Sequence, residues 1–368
     1  MPPIQMPNNW KSINLVNIAE VKYGKARPKE SGNIPVIGSG GIYAQASKAL
    51  IDFPTIVIGR KGTAGIAWLQ EGPCWASDTT FYLNWKNEMV DYHYLYYYFQ
   101  FRPLSGEHAR TTLPSLLKQD LENYPLLIPP LPEQRAISHV LRTVQQAKET
   151  RLNEIALERE RKAALMGFLF THGTMGEPTK QTEIGEMPES WKVSRLGDII
   201  TLHRGFDLPQ KDRLPGNVPI ISSSGLTGTH AKAKIKGPGV VTGRYGTIGE
   251  VFYISQDFWP LNTTLFVSEF NGNYPLFISY FLQTINLSSF NDKTSVPGIN
   301  RNHVHAQTVR LPTIQEQQAI AKNLILCDSK IVALEHEATL LDELFKAMLE
   351  ELMTGRLPSE AVVGKGQR

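Results

Sequence analysis

The strongest constraint on this chain is that it is written twice. Pro35-Val36-Ile37 returns as Pro219-Ile220-Ile221, 184 positions later. Gly59-Arg60-Lys61-Gly62-Thr63-Ala64-Gly65 returns at the same displacement as Gly243-Arg244-Tyr245-Gly246-Thr247-Ile248-Gly249, with five of seven positions identical. Asp78-Thr79-Thr80 answers Asn262-Thr263-Thr264 at 184, whereas Leu113-Pro114-Ser115-Leu116 answers Val296-Pro297-Gly298-Ile299 at 183. Glu133-Gln134 and Glu316-Gln317 also match at 183, and Trp10 and Trp191 open the halves at 181. The drift from 181 to 184 requires three extra residues in the second copy, placed in the loop-like stretch 205–219.

Each half carries the same grammar. Short β-branched runs such as Thr55-Ile56-Val57-Ile58 and Gly239-Val240-Val241, punctuated by Gly, Pro and Ser, predict a β-rich domain. The aromatic segments 92–100 and 277–283 predict short helices whose rings belong to the core, with a base-stacking platform as the less favoured reading. Each half then ends in a long helical pattern. In the second copy Ile320, Leu324, Cys327, Ile331, Leu334, Ala338, Leu341, Phe345, Met348 and Leu352 alternate in steps of four and three, a heptad seam that asks for a partner helix. The first copy offers Ile137, Leu141 and Val144, then Leu152, Ala156, Ala163, Met166 and Phe170, a register that slips mid-helix. Pro132 sits near one start, and Gly173 and Gly355 sit where the helices should stop. The expected fold is α+β, with two globular β-rich domains separated by two long helices. The helices pair as an antiparallel coiled coil, giving a pseudo-two-fold repeat. Their length and narrow stripe disfavour two amphipathic helices lying on separate cores. The expected boundaries are 1–130, a helix over 131–176, 177–312, a helix over 313–358 and a tail, 359–368.

Composition removes several classes. The net charge is +3, divided as +2, +2 and +2 over the first three segments and −3 over 313–368, so a polyanion should avoid the last. No apolar run approaches the roughly 18–20 residues of a membrane span, and no secretory signal pattern opens the chain. Two distant cysteines, Cys74 and Cys327, fit a reducing cytoplasm and make no metal site. His303 and His305 lack a nearby Cys, Asp or Glu partner, which favours a surface or strand role over zinc. No dinucleotide-binding or phosphate-loop glycine motif, methyltransferase Asn/Asp-Pro-Pro-aromatic stretch, nuclease metal cluster or nucleophile elbow is present. A duplicated module without a chemical signature favours recognition over catalysis.

Thr182-Glu183-Ile184-Gly185-Glu186-Met187-Pro188-Glu189-Ser190-Trp191, followed by Leu196-Gly197-Asp198-Ile199, resembles the opening of a target recognition domain. The family is the specificity (S) subunits of type I restriction–modification systems. The Gly-Arg-x-Gly-Thr-x-Gly segments resemble that domain's central loop. Pro129-Pro130-Leu131-Pro132-Glu133-Gln134 and Leu311-Pro312 through Glu316-Gln317 resemble the junctions into its long helices. Leu352-Met353-Thr354-Gly355 resembles a helix end, with Phe170-Thr171-His172-Gly173 a looser counterpart. The resemblance covers almost the whole chain. It implies a non-catalytic subunit of a complex that methylates adenine and cuts double-stranded DNA. Each recognition domain reads one half of a split target, and the paired helices set the gap. Two modification (methyltransferase) subunits and restriction/motor subunits are the implied partners. No cofactor is expected in this chain; S-adenosylmethionine, ATP and Mg belong to the partners. The alternatives are a non-DNA coiled-coil scaffold, an enzyme with an unrecognised site, or an orphan specificity subunit of a methylation-only system.

The duplication sorts the candidate DNA-binding residues. Arg60 and Arg244 are shared, so they suit a phosphate or common groove contact, or else pair with a carboxylate to fix the loop. Thr63, Thr247, Thr79 and Thr263 are shared hydroxyls in the same motifs, and the motif glycines read as turn formers. Positions that differ are better placed to read bases: Lys61 against Tyr245, Ser77 against Leu261, Asp78 against Asn262. Asp78 reads more readily as a turn cap. The loops 38–43 and 222–229 add Ser39, Tyr43, Ser223, Ser224 and Thr227. Lys232, Lys234 and Lys236 alternate, so in a strand they would share one face, as a phosphate stripe or a solvated edge.

Overall fold

A computed structural model describes residues 9–104, 115–290 and 298–358. Leu113-Pro114, Val296-Pro297 and the tail 359–368 lie outside the described residues. The chain divides into two compact units, Met1–Leu152 with Glu335–Arg368, and Asn153–Leu334. Each unit therefore combines one β-rich domain with one segment of each long helix.

In the first unit a four-stranded antiparallel sheet runs in the order Ala19–Tyr23, Thr80–Trp85, Thr55–Gly59, Ala67–Gln70. A three-stranded sheet runs Gly41–Ala46, Ile34–Gly38, Trp75–Ala76, the last pair parallel. The strand Thr55–Gly59 is buried at every residue because both faces of its sheet are covered. Ile56 and Ile58 enter the main core, and Val57 points the other way into a smaller core with Ile37 and Cys74. Lys11–Asn14 pairs with Pro125–Ile128 and closes the domain.

The second unit repeats this plan. Thr201–Arg204, Thr264–Glu269, Gly239–Gly243 and Val251–Ile254 form its four-stranded sheet, and Gly225–His230, Val218–Ser222 and Trp259–Pro260 its three-stranded one. Val240 and Val241 divide between two cores as Ile56 and Val57 do. The register irregularity between Val36 and Ile37 recurs between Ile220 and Ile221. The three-residue insertion falls where expected, around a 3-10 turn at Gln210–Asp212. A hairpin of Thr179–Thr182 with Gly185–Pro188 has no counterpart among the described residues.

The aromatic segments form the helices Tyr92–Phe101 and Pro275–Thr284. Asp91 caps the first by accepting the Tyr94 N–H at 2.9 Å, and Pro275 occupies the first turn of the second. Tyr94, Tyr98 and Phe277 are fully buried, so these rings are core and not a stacking platform. Burial pushes the Tyr94 phenol well above its usual range, and its hydroxyl donates to the Leu127 carbonyl at 2.7 Å.

The long helices span Leu131–His172 and Ile314–Met353. Gly173 and Gly355 both follow them at φ 70°, the left-handed stop that glycine accepts. Each junction is pinned by a buried glutamine. Gln134 accepts the Asp91 N–H at 2.8 Å and donates to the Pro129 carbonyl at 2.8 Å. Gln317 repeats both bonds, accepting from Tyr274 N–H at 2.9 Å and donating to Pro312 at 3.1 Å.

The helix segments pair antiparallel within each unit. In the first unit Lys148 pairs with Asp342, and Arg151 with Glu337 at 2.6 Å. In the second, Glu158 pairs with Lys330 at 3.0 Å and Lys162 with Asp328 at 2.5 Å. These pairs correct the expected slip in the first helix. Leu152, Ala156 and Ala163 are exposed. The buried and half-buried face instead runs Ile137, Leu141, Val144, Lys148, Arg151, Ile155, Glu158, Lys162, Leu165, Leu169 in unbroken steps of four and three. Every position stands 183 before its counterpart in the second helix. The seam never changes register; four of its positions are charged, which hid it from a search for apolar residues. Among the described residues no helix is long and apolar enough to cross a membrane, and no group of His, Cys, Asp and Glu could hold a metal ion.

Candidate nucleic-acid interface

The segments 59–65 and 243–249 leave the ends of the two buried central strands as tight loops. Gly62 and Gly65 have φ of 77° and 84°, and Gly246 and Gly249 of 80° and 99°, so these are the turn formers the repeat implied. Gly59 and Gly243 are fixed by space: a Cβ would lie 2.2 Å from the Thr63 carbonyl oxygen and 1.8 Å from that of Thr247.

Both loops are clamped in the same way. The Arg60 and Lys61 N–H groups donate to the Thr79 carbonyl at 2.8 and 3.2 Å, as those of Arg244 and Tyr245 donate to Thr263 at 2.8 and 3.1 Å. On the other side the Arg60 carbonyl accepts the Leu116 N–H at 2.9 Å, and the Arg244 carbonyl accepts that of Ile299 at 2.9 Å. Ser39 and Ser223, in the turns after Ile34–Gly38 and Val218–Ser222, stand beside Gly59 and Gly243, with Cβ atoms 3.2 and 3.3 Å from where a glycine Cβ would be. Each unit thus gathers a hairpin turn, a glycine loop and the turn that enters Thr80–Trp85 or Thr264–Glu269 into one cluster.

The sequence candidates divide accordingly. Lys61, Thr63, Tyr245 and Thr247 are exposed on the loops, and Ser224 and Thr227 on the hairpin. Tyr43 is 59% exposed, its ring lying over Gly38. Thr79 and Thr263 are half-buried, and the Thr263 hydroxyl is a buried oxygen without a hydrogen-bond partner among the described residues. Asn262 donates to Asp207. Ser77 is buried, its hydroxyl 2.8 Å from that of Thr79, so it shapes the turn and presents nothing to a ligand. The turn cap is likewise Ser77, whose oxygens receive the Thr79 and Thr80 N–H groups, and not Asp78.

Among the described residues Arg60 makes no carboxylate pair. It donates to the Asp78 carbonyl at 2.7 Å and lies 5.4 Å from the Tyr23 ring centroid. Arg244 lies 4.4 Å from the Tyr245 ring. Lys232 and Lys234 are exposed, but 231–236 is not a strand: within it only Ile235 forms a bridge, to Phe258. The alternation therefore does not build a phosphate stripe, and the Lys234 ammonium lies 4.9 Å from the Phe206 ring centroid.

Several residues at the cluster escaped the sequence reading. Ile42 and Leu226 stand 184 apart and are 65% and 69% exposed. Arg204 and Arg301 line a cavity of about 590 Å³ together with His203, Arg244, Tyr245 and Asn300. The detectable signal was Lys118 against Arg301, cations 183 apart, each opening a short helix. His305 is structural: its Nε2 accepts the Leu202 N–H at 2.9 Å, and burial, with Arg301 nearby, lowers its pKa.

The type I restriction modification DNA specificity domain model matches the chain twice, over residues 7–157 and 188–344. Among curated proteins, the chain is similar to the type I restriction enzyme MjaVIII specificity subunit of Methanocaldococcus jannaschii. The two are 31% identical over 132 residues, 35% of this chain and 31% of that protein. It is also similar to the putative MjaX specificity subunit of the same organism, 23% identical over 299 residues, 74% of this chain and 69% of the relative. The chain thus spans about a third of the first relative's length and just over two thirds of the second's. Among solved structures, the S subunit of a type I restriction–modification system from M. genitalium has the same fold. Its TM-score is 0.68 at 18% identity, covering 95% of this chain and 97% of that one. A structure described as underlying complex assembly and conformational transition of the type I R-M system matches at TM-score 0.58 and 13% identity, over 96% of this chain and all of that one. Two model matches that together span most of the sequence settle its kinship: the chain belongs to the type I restriction–modification DNA specificity domain family.

Proposed function

We propose that this chain is the DNA-recognition subunit of a type I restriction–modification complex, and that each β-rich domain reads one half of a bipartite, asymmetric duplex target. The observation that carries this reading is the loop cluster. The same backbone clamp is built in both units, while the side chains it presents differ: Lys61 against Tyr245, Tyr23 against Arg204, Tyr43 against Thr227. A shared frame with exchanged side chains is what two readers of different half-sites require. The antiparallel helix segments supply a stiff spacer, since a bipartite site needs its halves held at one separation and helical phase. Two modification subunits dock on this chain and restriction/motor subunits join them. S-adenosylmethionine, ATP and Mg serve those partners, and this chain contributes recognition without a chemical step of its own, in the cytoplasm.

The test is co-expression with the cognate modification subunit, followed by mapping of methylated adenines in host DNA. One split motif with unlike halves is expected. Methylation without this chain, or no motif in its presence, contradicts the reading and favours a scaffold.

A further inference from the structure

We infer that the cavity of the second unit is a seat for the phosphodiester backbone of the bound duplex, with Arg204, Arg244 and Arg301 as its cations. The inference rests on the DNA-recognition reading above and adds what this cavity contacts. Its described lining residues include Leu265, Ile299, three arginines and His203 but no carboxylate. Outside that lining, exposed Asp207 lies 3.4 Å from Arg204 Nη2 and also accepts from Asn262. Arg301 lines the cavity and is anchored by donating Nη1 to the Leu202 carbonyl at 3.4 Å. The Arg244 guanidinium lies over the Tyr245 ring, and its main chain is fixed by Thr263 and Ile299. Three guanidinium groups in one cavity without a carboxylate in its described lining match a polyanionic strand.

The repeat separates backbone contact from base contact here. Arg244 has Arg60 as its counterpart, and Arg301 has Lys118. Both positions are cationic in both units, although one exchanges a guanidinium for an ammonium. A phosphate accepts either cation, the guanidinium as a fork and the ammonium as a point charge, so a charge kept while its donor geometry changes suits the backbone. By the same register Arg204 replaces Tyr23, since Arg204 pairs with Leu265 as Tyr23 pairs with Phe81. The second unit therefore carries one more cation at this place than the first.

The experiment uses the full chain with its modification subunit on a duplex carrying the mapped target, measuring affinity from 50 to 300 mM salt. Arg301→Gln should lower the slope of log Kobs against log[salt] by about 0.9, the release expected for one phosphate. It should leave the methylated motif unchanged. Arg301→Lys should keep the wild-type slope, and the matching thermal melts of the two variants exclude misfolding as the cause. An unchanged slope in Arg301→Gln overturns the inference, as does loss of slope in Arg301→Lys or a changed base within the motif. Tight binding of free ATP or inorganic phosphate by the DNA-free chain, abolished in Arg301→Gln while the slope stays unchanged, assigns the cavity to a soluble phosphate and also overturns it. If the wild-type complex shows no preference for any duplex, the recognition reading itself fails, and this inference with it.

Discussion

At the residue scale the glycines of the two loops carry a definite energetic demand. Gly246 has φ 80° and the Ser223 hydroxyl 3.3 Å from its missing Cβ. An L-residue there costs roughly 1–2 kcal/mol in backbone strain alone. Gly246→Ala should therefore lower the stability of the second unit by about that amount, read from a denaturant melt, and weaken duplex binding. His305 supplies a pH dependence. Its ring must be neutral to accept the Leu202 N–H, and its folded pKa lies below the usual 6.5. The unfolded chain therefore binds the extra proton first on acidification. The stabilisation is complete above pH ~6.5 and drains away as the pH falls through the lowered folded value. Melts between pH 7 and pH 5 should show this loss, and His305→Gln, whose amide oxygen can still accept, should flatten it. Cys74 is inert by the same kind of argument, because burial pushes its thiol up to about 11.

Elements were legible in proportion to how far a single residue type marked them. The central strands announced themselves because Thr55-Ile56-Val57-Ile58 and Gly239-Val240-Val241 are buried on both faces. The second long helix was read correctly because its seam is apolar throughout. The first was misread past Val144, because Lys148, Arg151, Glu158 and Lys162 occupy seam positions and are matched by acids or lysines on the other helix, a pairing that exists only in the fold. The loop cluster was half legible. Shared glycines and arginines marked its frame, but Ser77 proved buried, and Arg204 and Arg301 come from segments far away in sequence. The corrected seam has a sharp consequence. Ile155 is buried and Leu152, three residues earlier, is 49% exposed. Ile155→Ala should cost about 2–5 kcal/mol, while Leu152→Ala should stay within about 0.5 kcal/mol, both read from unfolding midpoints. Equal costs would restore the slipped register.

At the scale of the whole molecule, duplication and pairing work together. Two copies of one framework keep a common clamp and vary what it presents, and the seam positions of the two long helices recur one for one at a displacement of 183, although their residue types differ. On the proposed function, such a chain measures as well as reads. Inserting four residues near Gly173 lengthens the spacer by about 6 Å if helical. It should change the gap in the methylated motif by one or two base pairs while both half-sequences survive.

The claim that each domain reads its own half is tested most directly by exchanging residues 191–310 for the corresponding domain of another specificity subunit and mapping methylated adenines beside the parent. The account predicts that one half of the motif is replaced while the other half and the gap are kept. A motif altered in both halves, or left unaltered, would contradict it.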